Sequence, residues 1–160
     1  MLTRRQLIST ILVGAVSGLQ AAAEKPNFSG RWQIDRRHSP KDAPADLTET
    51  IDHREPVIRV DTDWDHNVAT GVSNAAILAP AVQLKSDGTQ TSNDLPLGMS
   101  LTTKSHWDGN KLVTEWRLDG LNTPMNGTWT RYLTGPSAMV VDAVTESGGH
   151  RVTARFEFVK

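Results

Sequence analysis

Cysteine is absent from this chain of 160 residues. That excludes disulfide staples, thiolate chemistry, zinc held by sulfur and lipid attachment through a thiol. An excess of one charge is also missing: 17 Lys and Arg face 18 Asp and Glu, a formal net charge of −1. Nucleic-acid binders usually carry a strong basic bias, so that partner class is set aside. No run of five like charges occurs, which leaves no polyelectrolyte tail. No apolar run reaches the roughly 20 residues of a membrane-spanning helix. The Gly-x-Ser-x-Gly elbow that would expose a nucleophilic serine is not found. The five histidines, His38, His53, His66, His106 and His150, show no His-x-His or His-x-x-x-His pairing. A zinc site would have to be assembled from separate strands; each histidine reads as a surface or loop residue. No catalytic residue, metal ligand or cofactor is assigned on these grounds.

What is present begins with a leader. Residues 1–23, MLTRRQLISTILVGAVSGLQAAA, have the three parts of an export signal. Arg4 and Arg5 supply the positive start. Leu7 to Leu19 form an apolar middle of about a dozen residues, too short to span a bilayer. Ala21, Ala22 and Ala23 place small residues where a signal peptidase cuts. Thr3-Arg4-Arg5-Gln6-Leu7-Ile8 is similar to a twin-arginine motif, and Gly14, Ala15, Ser17 and Gly18 dilute the apolar middle as such signals do. An ordinary secretory signal is the alternative. Removing 23 of the 160 residues leaves 137, takes away two arginines and no acid, and shifts the balance to 15 basic against 18 acidic residues. The expected product is a mildly acidic periplasmic or secreted protein that starts at Glu24. It has no stable membrane span after processing, and its oligomeric state is open.

The remainder, with 38% hydrophobic and 22% charged residues over the whole chain, suffices for one globular core. Residues 24–160 read as one domain with no internal repeat. Helical spacing is nearly absent after Asn27. Period-two alternation recurs instead, broken by Gly, Pro, Asn and Asp. Trp32 and Ile34 mark a first strand; Leu47, Glu49 and Ile51 a second, ended by Pro56; Ile58, Val60, Thr62 and Trp64 a third. Val82 and Leu84 form a short fourth, and residues 66–79 read as a short helix or an irregular loop. Met99, Leu101, Thr103, Ser105 and Trp107 alternate into Asp108-Gly109, a hairpin turn, and Leu112, Thr114, Trp116 and Leu118 return. Trp129, Arg131 and Leu133 precede Gly135-Pro136. Val140 to Thr145 precede Ser147-Gly148-Gly149, and Val152, Ala154, Phe156 and Phe158 share one face of the last strand. Eight or nine sequential hairpin-linked strands predict an all-β fold: a single up-and-down antiparallel barrel of about eight strands, closed so that no edge is exposed.

Asn27-Phe28-Ser29-Gly30-x-Trp32-x-Ile34-Asp35, followed by Ser39, resembles the first motif of the lipocalin-like β-barrels. With Trp107-Asp108-Gly109-x-x-Leu112-Val113 and a closing Phe-x-Phe, residues 27–160 look like small exported bacterial lipocalin-like proteins. The resemblance implies a barrel and a small apolar ligand; it carries no activity. The chain departs from the family in lacking a Thr-Asp-Tyr motif and a disulfide. It also departs from the Gly-x-Trp-x-Gly-x-Gly pattern of the haem-holding barrels, because Ile34 and Arg36 stand where that pattern has glycines. In such a barrel Trp32 is expected to plug one end, with Gly30 giving room for the chain to cross beneath it.

Asp61-Thr62-Asp63-Trp64-Asp65-His66 has the look of a calcium loop, but an EF-hand needs glycine at its sixth position and glutamate at its twelfth. His66 and Val72 stand there, and alternation puts the acids on the solvent face of a strand. The five tryptophans, at 32, 64, 107, 116 and 129, fall on separate strands or strand ends. They either pack a filled core or line a cavity. If the barrel is hollow, Trp64, Met99, Leu101, Trp116 and Phe156 are the candidate cavity residues for a small apolar ligand. A filled barrel serving as an interaction module is the rival. A barrel enzyme of lyase or isomerase type has no acid–base pair to nominate.

Overall fold

The computed structural model describes residues 24–65 and 79–160. The leader, including Arg4, Arg5, Ala21 and Ala23, and the ambiguous stretch through residue 78 lie outside the described residues.

Ten strands form one antiparallel sheet among the described residues: β1 (Gly30–Ile34), β2 (Thr48–Arg54), β3 (Val57–Asp63), β4 (Ala81–Lys85), β5 (Asp87–Asp94), β6 (Ser100–Asp108), β7 (Lys111–Asp119), β8 (Met125–Gly135), β9 (Ala138–Ser147) and β10 (His150–Val159). The order is β4-β3-β2-β1-β10-β9-β8-β7-β6-β5. Every neighbour is a neighbour in sequence except β1 and β10, whose pairing of Ile34 with Phe158 rolls the meander into a barrel. The expectation of about eight strands is therefore corrected to ten. The strand that alternation did not show is β5, DGTQTSND, which has no apolar residue to alternate.

Alternation explains most of the rest. Odd positions of β2 and even positions of β3 and β4 are buried, as are Leu101, Thr103 and Ser105 of β6 and Leu112, Thr114, Trp116 and Leu118 of β7. Asp61, Asp63 and Asp65 face solvent, as a strand's outer face requires. In β10 only Phe156 and Phe158 reach the core; Val152 stays 37% exposed.

Trp32 is fully buried, and its indole N–H donates to the carbonyl of Phe28 at 2.8 Å. The Lys160 ammonium sits 4.5 Å from the centre of its ring, a cation–π contact. Gly30, at φ +132°, faces the same lysine: a Cβ here would lie 2.9 Å from Lys160 Cε. The glycine makes room for a side chain from the end of β10, rather than for a backbone crossing.

The hairpins β2–β3, β6–β7 and β8–β9 gather at one end with the segment before β1. There Phe28, His53 and Trp107 stack with ring centroids 5.6 to 6.1 Å apart. The Phe28 amide donates to His53 Nδ1 (3.2 Å), which assigns the imidazole proton to Nε2, and Nε2 lies 3.0 Å from Glu55 Oε1. Trp107 Nε1 donates to the same oxygen at 2.9 Å, and the Ser86 hydroxyl donates to Oε2. Burial works to raise the Glu55 pKa, but hydrogen bonds from Ser86, His53 and Trp107 and the charge of Lys25 outweigh it and hold the carboxyl below its ordinary value. His53 is thus not the surface histidine expected: it is 7% exposed and belongs to the inward face of β2.

Candidate ligand site inside the barrel

A barrel of this size has room for side chains or one small ligand. Its interior here is not uniformly apolar. Glu49, Thr62, Thr103, Ser105, Thr114, Arg131 and Thr145 are all buried. They sit on inward positions of β2, β3, β6, β7, β8 and β9, so strand alternation alone brings a polar band into the core. Such groups are costly unless paired.

The main pairing is ionic. Arg131 Nη1 donates to Glu49 Oε2, and Nη2 donates to Oε1 at 3.2 Å; Nη1 also lies 3.3 Å from the Met139 sulfur. The two side chains are 7% and 1% exposed. The fork-to-carboxylate geometry satisfies both oxygens of Glu49 from residues 82 positions apart. Nearby, the Ser105 and Thr114 hydroxyls share a hydrogen bond of 2.8 Å.

An interior cavity of about 20 Å³ adjoins this pair, lined by Glu49, Val60, Thr62, Ala79, Val82, Leu84, Thr114, Trp129 and Arg131. That volume holds one water molecule. Trp129 stacks on Trp116 with centroids 5.5 Å apart. Trp116 in turn lies against Gly127, where a Cβ would meet its ring at 2.8 Å. The indole N–H groups of Trp116 and Trp129 and the hydroxyl of Thr103 are buried and find no hydrogen-bond partner among the described residues. Register places Thr103 beside Trp116, and Trp129 beside Thr114, so all three sit on one wall made by β6, β7 and β8.

Next to this wall, beyond β6, the barrel has a seam. β4 and β5 are the two ends of the sheet order and share no ladder. The side chain of Asn93 on β5 bridges them instead. The Gln83 amide donates to Asn93 Oδ1 at 2.7 Å, and Asn93 Nδ2 donates to the carbonyls of Gln83 (3.2 Å) and Leu101 (3.4 Å). Outside this seam runs a groove bordered by Arg59, Asp61, Ala81, Val82, Gln83 and Asn93. Val82 lines both the groove and the interior cavity.

Of the residues singled out from sequence, Leu101, Trp116 and Phe156 are buried in the core, and Trp64 and Met99 are partly buried against it. None of the five lines the cavity directly; Trp116 backs Trp129, which does. Sequence reasoning passed over Glu49 and Arg131 as site residues. The signal was there, since Glu49 alternates with Leu47 and Ile51, and Arg131 with Trp129 and Leu133. Among the described residues, no group of three His, Asp or Glu is placed to hold a metal ion, and no helix is long and apolar enough to cross a membrane.

Several solved structures share this arrangement. The apo form of lipid binding protein 8 (LBP-8) from Caenorhabditis elegans superposes with a TM-score of 0.53 at 17% identity, over 83% of this chain and 94% of that one. The fold is that of the lipocalin-like barrels. Secretory abundant heat soluble protein 4 from Ramazzottius varieornatus gives 0.54 at 16% identity, over 86% of this chain and 96% of that one. The REP1-NXSQ fatty acid transporter gives 0.51 at 12% identity, over 82% and 94% respectively. No protein-family model matches the chain, and no curated protein is similar to it in sequence.

Proposed function

We propose that this lipocalin-like barrel is an exported protein that binds one small, mainly apolar molecule in its interior. The observation that carries the reading is Trp129, which lines the cavity while its indole N–H has no hydrogen-bond partner among the described residues, with Trp116 and Thr103 likewise unpartnered in the wall behind it. Native cores leave few such groups unsatisfied, because each costs about 1–3 kcal/mol. A bound molecule that meets one or more of them recovers that cost and covers Val60, Val82 and Leu84 as well. Two of the barrels of like fold are named for lipid or fatty acid, which supports the ligand class. The leader supports export, by a twin-arginine-like or general secretory route, to the periplasm or beyond.

The cavity volume favours one rival. At about 20 Å³ it is far below the roughly 300 Å³ of ordinary ligand pockets, so a filled barrel acting as an interaction module is the second reading. A ligand would have to move side chains aside, and the unladdered β4–β5 seam is the wall that yields most cheaply. The enzyme reading has one buried carboxylate in the cavity, Glu49, but Arg131 occupies both of its oxygens.

Titration with Nile red, a neutral apolar dye, separates the readings. Binding predicts a blue-shifted, saturable dye signal at about one dye per chain, with quenching of the intrinsic tryptophan emission. A flat titration leaves the filled barrel. Intact mass of exported material beginning at Glu24 tests the route; retention of Met1 in the exported pool refutes it.

A further inference from the structure

We infer that the interior selects an uncharged ligand with one hydrogen-bond acceptor over a fatty-acid-like anion, and that the Glu49–Arg131 pair sets this preference. The inference rests on the ligand-binding reading above and names its ligand class. The cavity lining contains one anion and one cation, and each is the other's partner. Arg131 spends Nη1 and Nη2 on Glu49, with Nη1 also on the Met139 sulfur. An incoming carboxylate that took an N–H left over on the guanidinium would sit as a second buried anion beside Glu49, and one that took the fork itself would push Glu49 away. That would strand a carboxylate that is 1% exposed, and an unpaired buried charge is the most costly outcome available to the core. An ammonium ligand would strand Arg131 in the same way.

A neutral acceptor leaves the Glu49–Arg131 pair intact. A carbonyl or hydroxyl oxygen can take the N–H of Trp129, a residue that lines the cavity and whose indole N–H has no partner among the described residues. Its apolar remainder then lies along Val60, Val82 and Leu84. Stacking of Trp129 on Trp116 holds the donor's ring in place, so the acceptor meets a prearranged partner. Glu49 and Arg131 are specificity-determining through exclusion: they reject charge of either sign without contacting the preferred ligand through a salt bridge.

The test is competition against bound Nile red at pH 7.5 with four ligands of equal chain length, 1-octanol, 2-octanone, octanoate and octylammonium, and with octane as the apolar control. Wild-type protein is expected to release the dye to octanol or octanone at concentrations at least tenfold below those needed for either ion. Glu49→Gln leaves Arg131 without its counter-charge and should move octanoate to first place. Trp129→Phe keeps the ring and removes the donor; octanone should lose several-fold relative to octane while octane itself is little changed. If Glu49→Gln fails to fold, the wild-type series and Trp129→Phe still decide. Preference of the wild-type protein for octanoate overturns the inference and leaves the binding reading standing. Failure of Nile red and all four ligands to bind overturns the binding reading itself.

Discussion

Removing one member of the buried ion pair should cost far more than removing both. In Arg131→Met the Glu49 carboxylate keeps its place on the inner face of β2, 1% exposed, and loses the guanidinium that contacts both its oxygens. Uncompensated charges of this kind destabilise by about 3–5 kcal/mol. Against the roughly 5–15 kcal/mol that holds a domain together, this is a large fraction. With the size dependence of ΔTm, it corresponds to roughly 10–20 °C. The double change Arg131→Met with Glu49→Leu removes both charges and keeps apolar volume beside Met139, Val60 and Leu84. Replacements of that sort are commonly neutral or stabilising, so the double variant should regain most of the loss. Guanidinium unfolding followed by the emission of the five tryptophans measures both variants and each single change. The reasoning fails if Arg131→Met costs less than about 1 kcal/mol, or if the double variant is as unstable as the two single changes added together.

Asn93→Ala removes two hydrogen bonds that stand in for the missing β4–β5 ladder and a third to Leu101 of β6. It should cost about 1–3 kcal/mol and, more tellingly, speed hydrogen exchange at the Gln83 amide; unchanged protection there would show that the seam is held by something else. Gly109 sits at φ +59° with nothing within 4 Å of where a Cβ would stand, so Gly109→Val should cost roughly 1–3 kcal/mol through backbone strain alone, and an unaltered melting temperature would count against the turn. Glu55 has a depressed pKa, so its contribution to stability is fully present above the ordinary glutamate value of 4.5 and is lost as pH falls through the lower folded value. Glu55→Gln should therefore flatten the fall in melting temperature between pH 6 and about pH 3, and an acid limb as steep as wild type would remove Glu55 as its source.

Much of the barrel was legible in advance because period-two patterning is a local property. Trp32 and Ile34, Ile58 and Val60, Leu112 to Leu118 and the Asp108-Gly109 turn declare strand and face from their immediate neighbours. The polar sequence of β5 could not be read this way. DGTQTSND pairs with β6 and carries the Asn93 bridge, but it buries no apolar side chain, so no alternation marks it. His53 was misread for a related reason. Its place on the inner face followed from Glu49 and Ile51, yet histidine's usual preference for the surface outweighed the pattern until Phe28, Trp107 and Glu55 were seen around it.

The chain's own order of residues determined which side chains face inward, including the polar ones, and the short hairpins that make neighbouring strands pair. It also established the absence of thiol chemistry. Only the tertiary structure decided that Glu49 meets Arg131, that three polar groups on one wall go without partners, that Lys160 covers Trp32 over Gly30, and that β4 and β5 adjoin without a ladder. The reason is that alternation repeats within a strand, whereas contacts across a barrel depend on how many strands close it and with what stagger. A two-residue period assigns a face, and only closure of the sheet assigns the residue opposite.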